Sequence, residues 1–323
     1  MKEIKDRQGR LTIVLLALIA LTVLVLLFLN YSEKNIEINV DTGETAVIDD
    51  KYTVVCEGES LSFYDKKGGL YKKLERVKSY TYQAGYLYIL AENKIAKIDY
   101  KGQALQSVTF QDSIDRLLSN DKLLIAVGKE KAYFLKDLKT VEEFDQREEK
   151  IALTQSYGDD YAVSTVGLRE GRLFSKLYMY DDKGLYYKNI FIDNPILYLG
   201  AQEDQLLVAG KEYILKFNKA SPDYKNEFGG LKAIGTDDKY TYLIDYADNL
   251  FILDKELNLV YNEKLDGEYM IYSNKAGTVL YNENGYMVFD SDKLIKTPTE
   301  KLKYITGEED FYLAYENKIE RMK

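Results

Sequence analysis

The stretch YLYILAENKIAKID, Tyr86 to Asp99, decides the fold. It opens with Tyr86-Leu-Tyr88-Ile-Leu90, five aromatic and aliphatic residues in a row. A polar pair, Glu92-Asn93, follows, then Lys94-Ile-Ala-Lys-Ile98 and the closing Asp99. Short runs of aromatic and β-branched residues read as strand, and a polar pair between two of them reads as a hairpin turn. Asp99-Tyr-Lys-Gly102 ends the unit with residues that favour a second turn.

The same unit recurs. It reads VVCEGESLSFYD to Asp65, LLIAVGKEKAYFLK to Lys136 and YAVSTVGLREGRLFSKLYMYD to Asp181. Further copies are LLVAGKEYILKFN to Asn218, YTYLIDYADNLFILD to Asp254, VLYNENGYMVFD to Asp290 and FYLAYENKIERMK to Lys323. With Asp99 that makes eight, spaced 33 to 45 residues with a mean near 37. A second marker agrees. The residue before each first run is Asp50, Gly85, Asp121, Asp160, Asp204, Asp238, Gly277 or Asp310, again eight. Both series stretch at the fourth interval, where a longer hairpin surrounds Leu168-Arg169-Glu170-Gly171.

A period of about 36 residues holds four strands of five or six with tight turns. Four-stranded units repeated four to eight times make a β-propeller. The last repeat ends after three strands, while an extra run, Asn35-Ile-Glu-Ile-Asn-Val40, precedes the first. If that run is the missing outer strand, the ring closes with nothing left over. The expectation is therefore an all-β, eight-bladed β-propeller over residues 35–323. Seven blades is the alternative if one hairpin is misread.

At this point the chain resembles the PQQ-like, or quinoprotein-type, propellers. Their blades have similar length and end the third strand near an Asp followed by a Gly turn. The matching residues are Tyr64-Asp65-Lys66-Lys67-Gly68, Ile98-Asp99-Tyr100-Lys101-Gly102 and Tyr180-Asp181-Asp182-Lys183-Gly184. The chain is also similar to membrane-anchored propellers of unassigned role in Gram-positive bacteria. The quinoprotein pattern carries a tryptophan in each repeat. This chain has none, so the resemblance implies no PQQ, and no cofactor is expected. The absence of Trp and His also departs from a WD-repeat signature.

A second feature precedes the repeats. Leu11 to Leu29 reads LTIVLLALIALTVLVLLFL, without a charge, and as a helix it spans roughly 28 Å, about the hydrocarbon thickness of a bilayer. Leu11, Leu16, Leu21, Leu26 and Leu29 mark its length. A cleaved signal peptide would have a shorter apolar region ending in a small-residue site, whereas this run ends Phe28-Leu29-Asn30-Tyr31. Lys2, Lys5, Arg7 and Arg10 precede it, and the first base after it is Lys34. The positive-inside rule then keeps residues 1–10 cytoplasmic as a tail. Residues 11–29 are the transmembrane helix, 30–34 a short linker, and 35–323 an extracellular domain of a single-pass cell-membrane protein.

Composition narrows the chemistry. There is no histidine, which removes Ser-His-Asp and Cys-His nucleophile systems, His-ligated zinc and histidine-bound haem. The single cysteine, Cys56, sits in an apolar strand-like run and reads as a small core residue. The net charge is −9 and the basic tail offsets part of it, so the outer domain is more acidic still and a poor partner for nucleic acid.

The repeated Asp65, Asp99, Asp181, Asp254 and Asp290 read as structural turn-formers, because a catalytic residue need occur only once. Paired acids at Asp49-Asp50, Asp159-Asp160 and Asp237-Asp238 fall in equivalent turns and would line one face. Tyrosines two apart, such as Tyr86/Tyr88 and Tyr240/Tyr242, put both rings on one strand face, suited to packing or to sugar stacking. Ser119-Asn-Asp-Lys122 matches Ser-x-x-Lys but lacks the Lys-Thr-Gly that accompanies it in penicillin-binding enzymes.

No catalytic, cofactor or metal residue is assigned. The leading reading is a non-catalytic protein-interaction scaffold in the cell envelope, with an envelope or membrane protein as partner. One alternative is a ligand-binding or sensory propeller, with cell-wall glycan as ligand. Another is an enzyme, a glycosidase or lyase, with a carboxylate pair in the funnel.

Overall fold

The computed structural model describes residues 35–36, 45–48, 53–65, 68–218, 221–227 and 229–322. The predicted anchor at 11–29, the basic residues Lys2, Lys5, Arg7 and Arg10, and the linker at 30–34 lie outside the described residues. Among the described residues no helix is long and apolar enough to cross a membrane.

The strand-forming runs become strands throughout. β1 (Asn35–Ile36) comes first. Blade 1 is β2 (Thr45–Ile48), β3 (Thr53–Glu57), β4 (Ser60–Tyr64) and β5 (Leu70–Leu74). Blade 2 is β6 (Ser79–Gln83), β7 (Tyr86–Ala91), β8 (Lys94–Ile98) and β9 (Ala104–Thr109). Blade 3 is β10 (Ile114–Ser119), β11 (Leu124–Gly128), β12 (Lys131–Lys136) and β13 (Lys139–Asp145). Blade 4 is β14 (Glu149–Tyr157), β15 (Asp160–Arg169), β16 (Arg172–Tyr180) and β17 (Tyr186–Ile192). Blade 5 is β18 (Tyr198–Gln202), β19 (Gln205–Ala209), β20 (Tyr213–Asn218) and β21 (Ser221–Glu227). Blade 6 is β22 (Leu231–Thr236), β23 (Thr241–Asp245), β24 (Asn249–Leu253) and β25 (Leu259–Lys264). Blade 7 is β26 (Met270–Asn274), β27 (Gly277–Asn282), β28 (Gly285–Asp290) and β29 (Lys293–Pro298). Blade 8 holds β30 (Tyr304–Thr306), β31 (Tyr312–Ala314) and β32 (Ile319–Arg321).

Blades 1 to 7 are antiparallel four-stranded sheets in chain order, whereas the eighth runs β1-β32-β31-β30. β1 pairs with β32 through Asn35↔Glu320 and Ile36↔Ile319. The chain's first described strand thus completes its last blade, and the count is eight, not seven. First strands of neighbouring blades touch around the axis, β30 meeting β2 at the seam. Turns from first to second and from third to fourth strands share one face of the disc. The remaining turns share the other, and so do the connections between blades.

The core lies between blades. Val54, Leu61 and Phe63 of blade 1 pack on Leu87, Ile89 and Ile98 of blade 2. Tyr88, Leu90 and Ile95 pack the opposite way, on Ile114, Leu124 and Leu135 of blade 3. A strand buried on both faces is apolar almost throughout, which is why Tyr86–Ala91 shows little apolar–polar alternation. Ile48, Val55 and Tyr64 of blade 1 meet Ala314 and Ile319 of blade 8, sealing the ring.

Blade 4 is the tall one. β15 and β16 form nine ladder pairs, from Tyr161↔Tyr180 to Arg169↔Arg172. In blade 2 the same hairpin has five, Leu87↔Ile98 to Ala91↔Lys94. Four extra pairs project the hairpin by roughly 13 Å. Its turn is tight because Glu170 and Gly171 both take positive φ, 52° and 79°, the geometry that matches strand twist.

Candidate functional site: the central funnel

The first strands end around the axis, and their turns form a funnel of ≈ 540 Å³. Asp121, Glu203, Asp237, Asp238 and Glu308 line it with Lys122 and Lys275, beside Tyr157, Tyr198 and Tyr272. The lining carries more acid than base. It suits a cationic or hydroxyl-rich ligand by charge and hydrogen bonding.

Most of these groups also serve the fold. Asp237 Oδ1 accepts from the backbone N–H of Lys239 at 2.9 Å and Tyr240 at 3.0 Å. Asp121 accepts from the Ser156 hydroxyl at 3.1 Å, joining blades 3 and 4. Glu203 is paired with Lys255, and that bond holds its carboxyl below the usual range. Lys275 donates to Glu309 at 2.7 Å. That bond raises its pKa, and Asp121 from the opposite blade adds to the effect, so charges sense each other across the funnel.

A belt of carboxamides surrounds the funnel. Gln83 donates to Asn120 O at 2.8 Å, and Asn120 to Thr154 Oγ1 at 2.6 Å. Gln202 donates to Asp237 O at 3.2 Å, and Asn274 to Gly307 O at 2.9 Å. Each bond runs from one blade to the next. Sequence reading missed this belt, although the amides recur at or just beyond the end of first strands, a signal a third alignment of the repeats could have found.

The recurrent aspartates lie on the same face but farther out. Asp99 Oδ1 accepts from the N–H of Lys101 at 2.9 Å and Gln103 at 2.7 Å. Asp181 holds Lys183 and Leu185, and Asp254 holds Glu256 and Asn258, in the same way. Asp65 accepts from Gly69 N–H at 2.8 Å. The following carbonyl is then presented to the previous blade. Tyr71 OH donates to Tyr100 O, Lys136 Nζ to Asp182 O at 3.3 Å, and Lys216 Nζ to Lys255 O. Asp290 differs: it ends β28, pairs with Lys293, and accepts from Ser291 Oγ at 3.0 Å.

Other sequence features separate. Ser119 bonds Thr81 Oγ1 and Tyr82 O, while Lys122 Nζ donates to Gly158 O at 2.8 Å, so no Ser-Lys pair forms. Asp159 stands 3.8 Å from Lys122, Asp160 accepts from Tyr187 OH at 3.1 Å, and Asp49-Asp50 lie outside the described residues. Tyr178 and Tyr180 enter one inter-blade layer together, as do Tyr240 and Tyr242 another. Burial pushes the Glu142 carboxyl up, but Glu142 sits in β13, an outer strand, accepting from Tyr180 OH. Among the described residues, no group of three or more His, Cys, Asp or Glu could hold a metal ion.

No family model matches the chain, and no curated protein matches it. Solved structures do. BamB from Moraxella catarrhalis is 10% identical with a TM-score of 0.62, covering 89% of this chain and 100% of that one. Hsv2 from Kluyveromyces lactis is 11% identical with a TM-score of 0.54, covering 81% and 99%. BBS1N, solved in complex with ARL6DN, is 11% identical with a TM-score of 0.50, covering 80% and 92%. At such identities the likeness is one of fold alone. The resemblance carried by the Asp–Gly turns is supported as far as the all-β propeller architecture.

Proposed function

We propose that this chain is a membrane-anchored, extracytoplasmic propeller acting as a non-catalytic protein-interaction scaffold in the cell envelope. The observation that carries this reading is the employment of three of the funnel's five acidic side chains. Asp121, Glu203 and Asp237 hold turns and join blades, whereas a glycosidase or lyase needs a free acid/base pair with separated pKa values. The apolar run at 11–29 and its basic flank support the anchor and the address. That BBS1N was solved bound to a protein partner is in keeping with the role.

Proximity labelling from a tag at the C-terminus tests it. The expected result is a defined set of envelope or membrane proteins, unchanged by Asp121→Asn, Asp238→Asn and Glu308→Gln together. A second reading, a glycan-binding propeller, is favoured by Tyr157, Tyr198 and Tyr272 in the funnel wall. Titration with soluble cell-wall glycan fragments separates the two. Saturable binding abolished by the triple variant would replace the scaffold reading with the ligand reading.

A further inference from the structure

The funnel is not the surface with the most unmet chemistry. That surface is on blade 4, at the end of the projecting hairpin. β14 covers β15 as far as Glu149↔Gly167, and β17 covers β16 as far as Ser175↔Ile192. The last two rungs, Leu168↔Leu173 and Arg169↔Arg172, stand beyond both. Leu168 is 67% exposed and Leu173 52%. On the opposite face of the hairpin, which also carries Arg169 and Arg172, Phe174 stacks on Phe191 at 5.2 Å, and Phe191 is 47% exposed. The step where β17 stops forms a notch of ≈ 540 Å³ lined by Arg169, Arg172, Leu173, Phe174 and Phe191.

Two like charges are set against each other at the tip. Arg169 and Arg172 are directly opposed across the ladder, and like charges so placed destabilise a hairpin. Glu170 and Asp193 line the same notch, yet among the described residues no ion pair joins either to the arginines. One carboxylate between two guanidinium groups would relieve the repulsion and accept bidentate hydrogen bonds. Successive side chains of an extended segment alternate between faces, so an apolar residue next to that carboxylate would cover Leu168 and Leu173, and one two residues away would cover Phe191. The uncovered edge at Arg172–Phe174 offers backbone groups to an added strand.

We infer that the blade 4 hairpin docks an extended acidic–apolar peptide segment of another protein along its edge at Arg172–Phe174, its carboxylate held between Arg169 and Arg172 and its apolar side chains, alternating across the sheet, covering Leu173 on one face and Phe191 on the other. A second copy of this chain fits less well. Antiparallel pairing of two hairpin edges would turn one disc over, and two anchored chains would then need their anchors on opposite sides. The inference rests on the scaffold reading and names the partner chemistry for it. Blade 4 is also diametrically opposite blade 8, which β1 completes.

The test uses the full-length chain in its own cells. A photo-crosslinking phenylalanine analogue replaces Leu173, or Leu105 on blade 2 as an exposed control. The expected crosslink at 173 maps to a protein segment with Asp, Glu or a terminal carboxylate within two residues of apolar side chains. The pair Arg169→Glu and Arg172→Glu should lower its yield at least tenfold with circular dichroism and Tm unchanged, and Arg169→Lys with Arg172→Lys should retain part of it. Crosslinks to lipid, to a second copy or to segments without a carboxylate would overturn the inference, as would equal yield in the Glu pair. No crosslink at 173 with the labelled partner set intact would move docking elsewhere and leave the scaffold standing. Loss of both would remove the scaffold reading as well.

Discussion

At the scale of single residues, the repeated aspartates and the unrepeated Glu149 make an instructive contrast. Asp254 accepts two backbone N–H groups and a third bond from Asn258 Nδ2 at 3.0 Å. Asp254→Ala should cost about 1–2 kcal/mol by denaturant titration, while Asp254→Asn, which keeps an acceptor oxygen, should cost less. Equal losses would show that the negative charge, not the acceptor, stabilises the turn. Glu149 is buried in blade 4 and accepts from Thr165 Oγ1 at 2.7 Å, Lys176 Nζ at 3.2 Å and Tyr178 OH. Lys176 is partly exposed, but removing Glu149 leaves the buried Thr165 hydroxyl and the Tyr178 hydroxyl without their acceptor, so Glu149→Ala should cost about 1–3 kcal/mol. Because the network stands below the projecting hairpin, that variant should also speed amide exchange at Leu168 and Leu173. The sequence displays Asp254 because its pattern recurs at a fixed period. It hides Glu149, which occurs once, in a polar stretch, with partners on strands 16 to 29 residues away.

At the scale of elements, closure depends on β1. The phase of the repeats, with three strands in the last unit and a surplus run before the first, made this pairing readable from the sequence. Nothing in the run 35–40 alone would have done so. Which strand needed a partner was legible only from the count. The tall hairpin was legible as an added length between Asp160 and Asp181, but not the exposure of its last two rungs, because exposure depends on where β14 and β17 stop. Without β1, β32 becomes an open edge able to pair with other chains. A chain beginning at residue 34 should therefore keep its Tm, and one beginning at 41 should lose roughly 5 °C or more and aggregate faster. Equal melting of the two would mean that β1 adds nothing to the ring.

At the scale of the molecule, the inter-blade layers are rich in phenols. Burial pushes Tyr157, Tyr161, Tyr180 and Tyr242 well above the ordinary value of 10, and burial with a bond to Asp112 pushes Tyr133 up to about 12. A raised folded pKa adds stability that is complete below about pH 10 and is lost as pH rises through the folded value. Alkali should thus open the ring rather than titrate it. Tyrosinate absorbance at 295 nm should climb in one step together with loss of the far-ultraviolet circular dichroism. A gradual climb with the dichroism intact would show that water already reaches the inter-blade layers.

The same wholeness bears on how the disc is presented. β1 runs antiparallel to β32, from Asn35 opposite Glu320 to Ile36 opposite Ile319. The chain therefore approaches the rim of blade 8 from the funnel face and runs toward the other. With the proposed anchor ending at Leu29, the five residues 30–34 reach at most about 18 Å. The funnel face of blade 8 would then be turned toward the bilayer, and the blade 4 hairpin, on the opposite face and the opposite blade, away from it. In vesicles holding the full chain with Cys56→Ala, a fluorophore at Glu309→Cys should be quenched by spin-labelled headgroup lipid, and one at Gly171→Cys should not. Quenching at 171 alone would invert the disc. A chain that failed to float with the vesicles would instead remove the anchor from the proposal. Presenting the arginine-tipped hairpin outward would also spare it from anionic headgroups, whose attraction for Arg169 and Arg172 would compete with a partner's carboxylate.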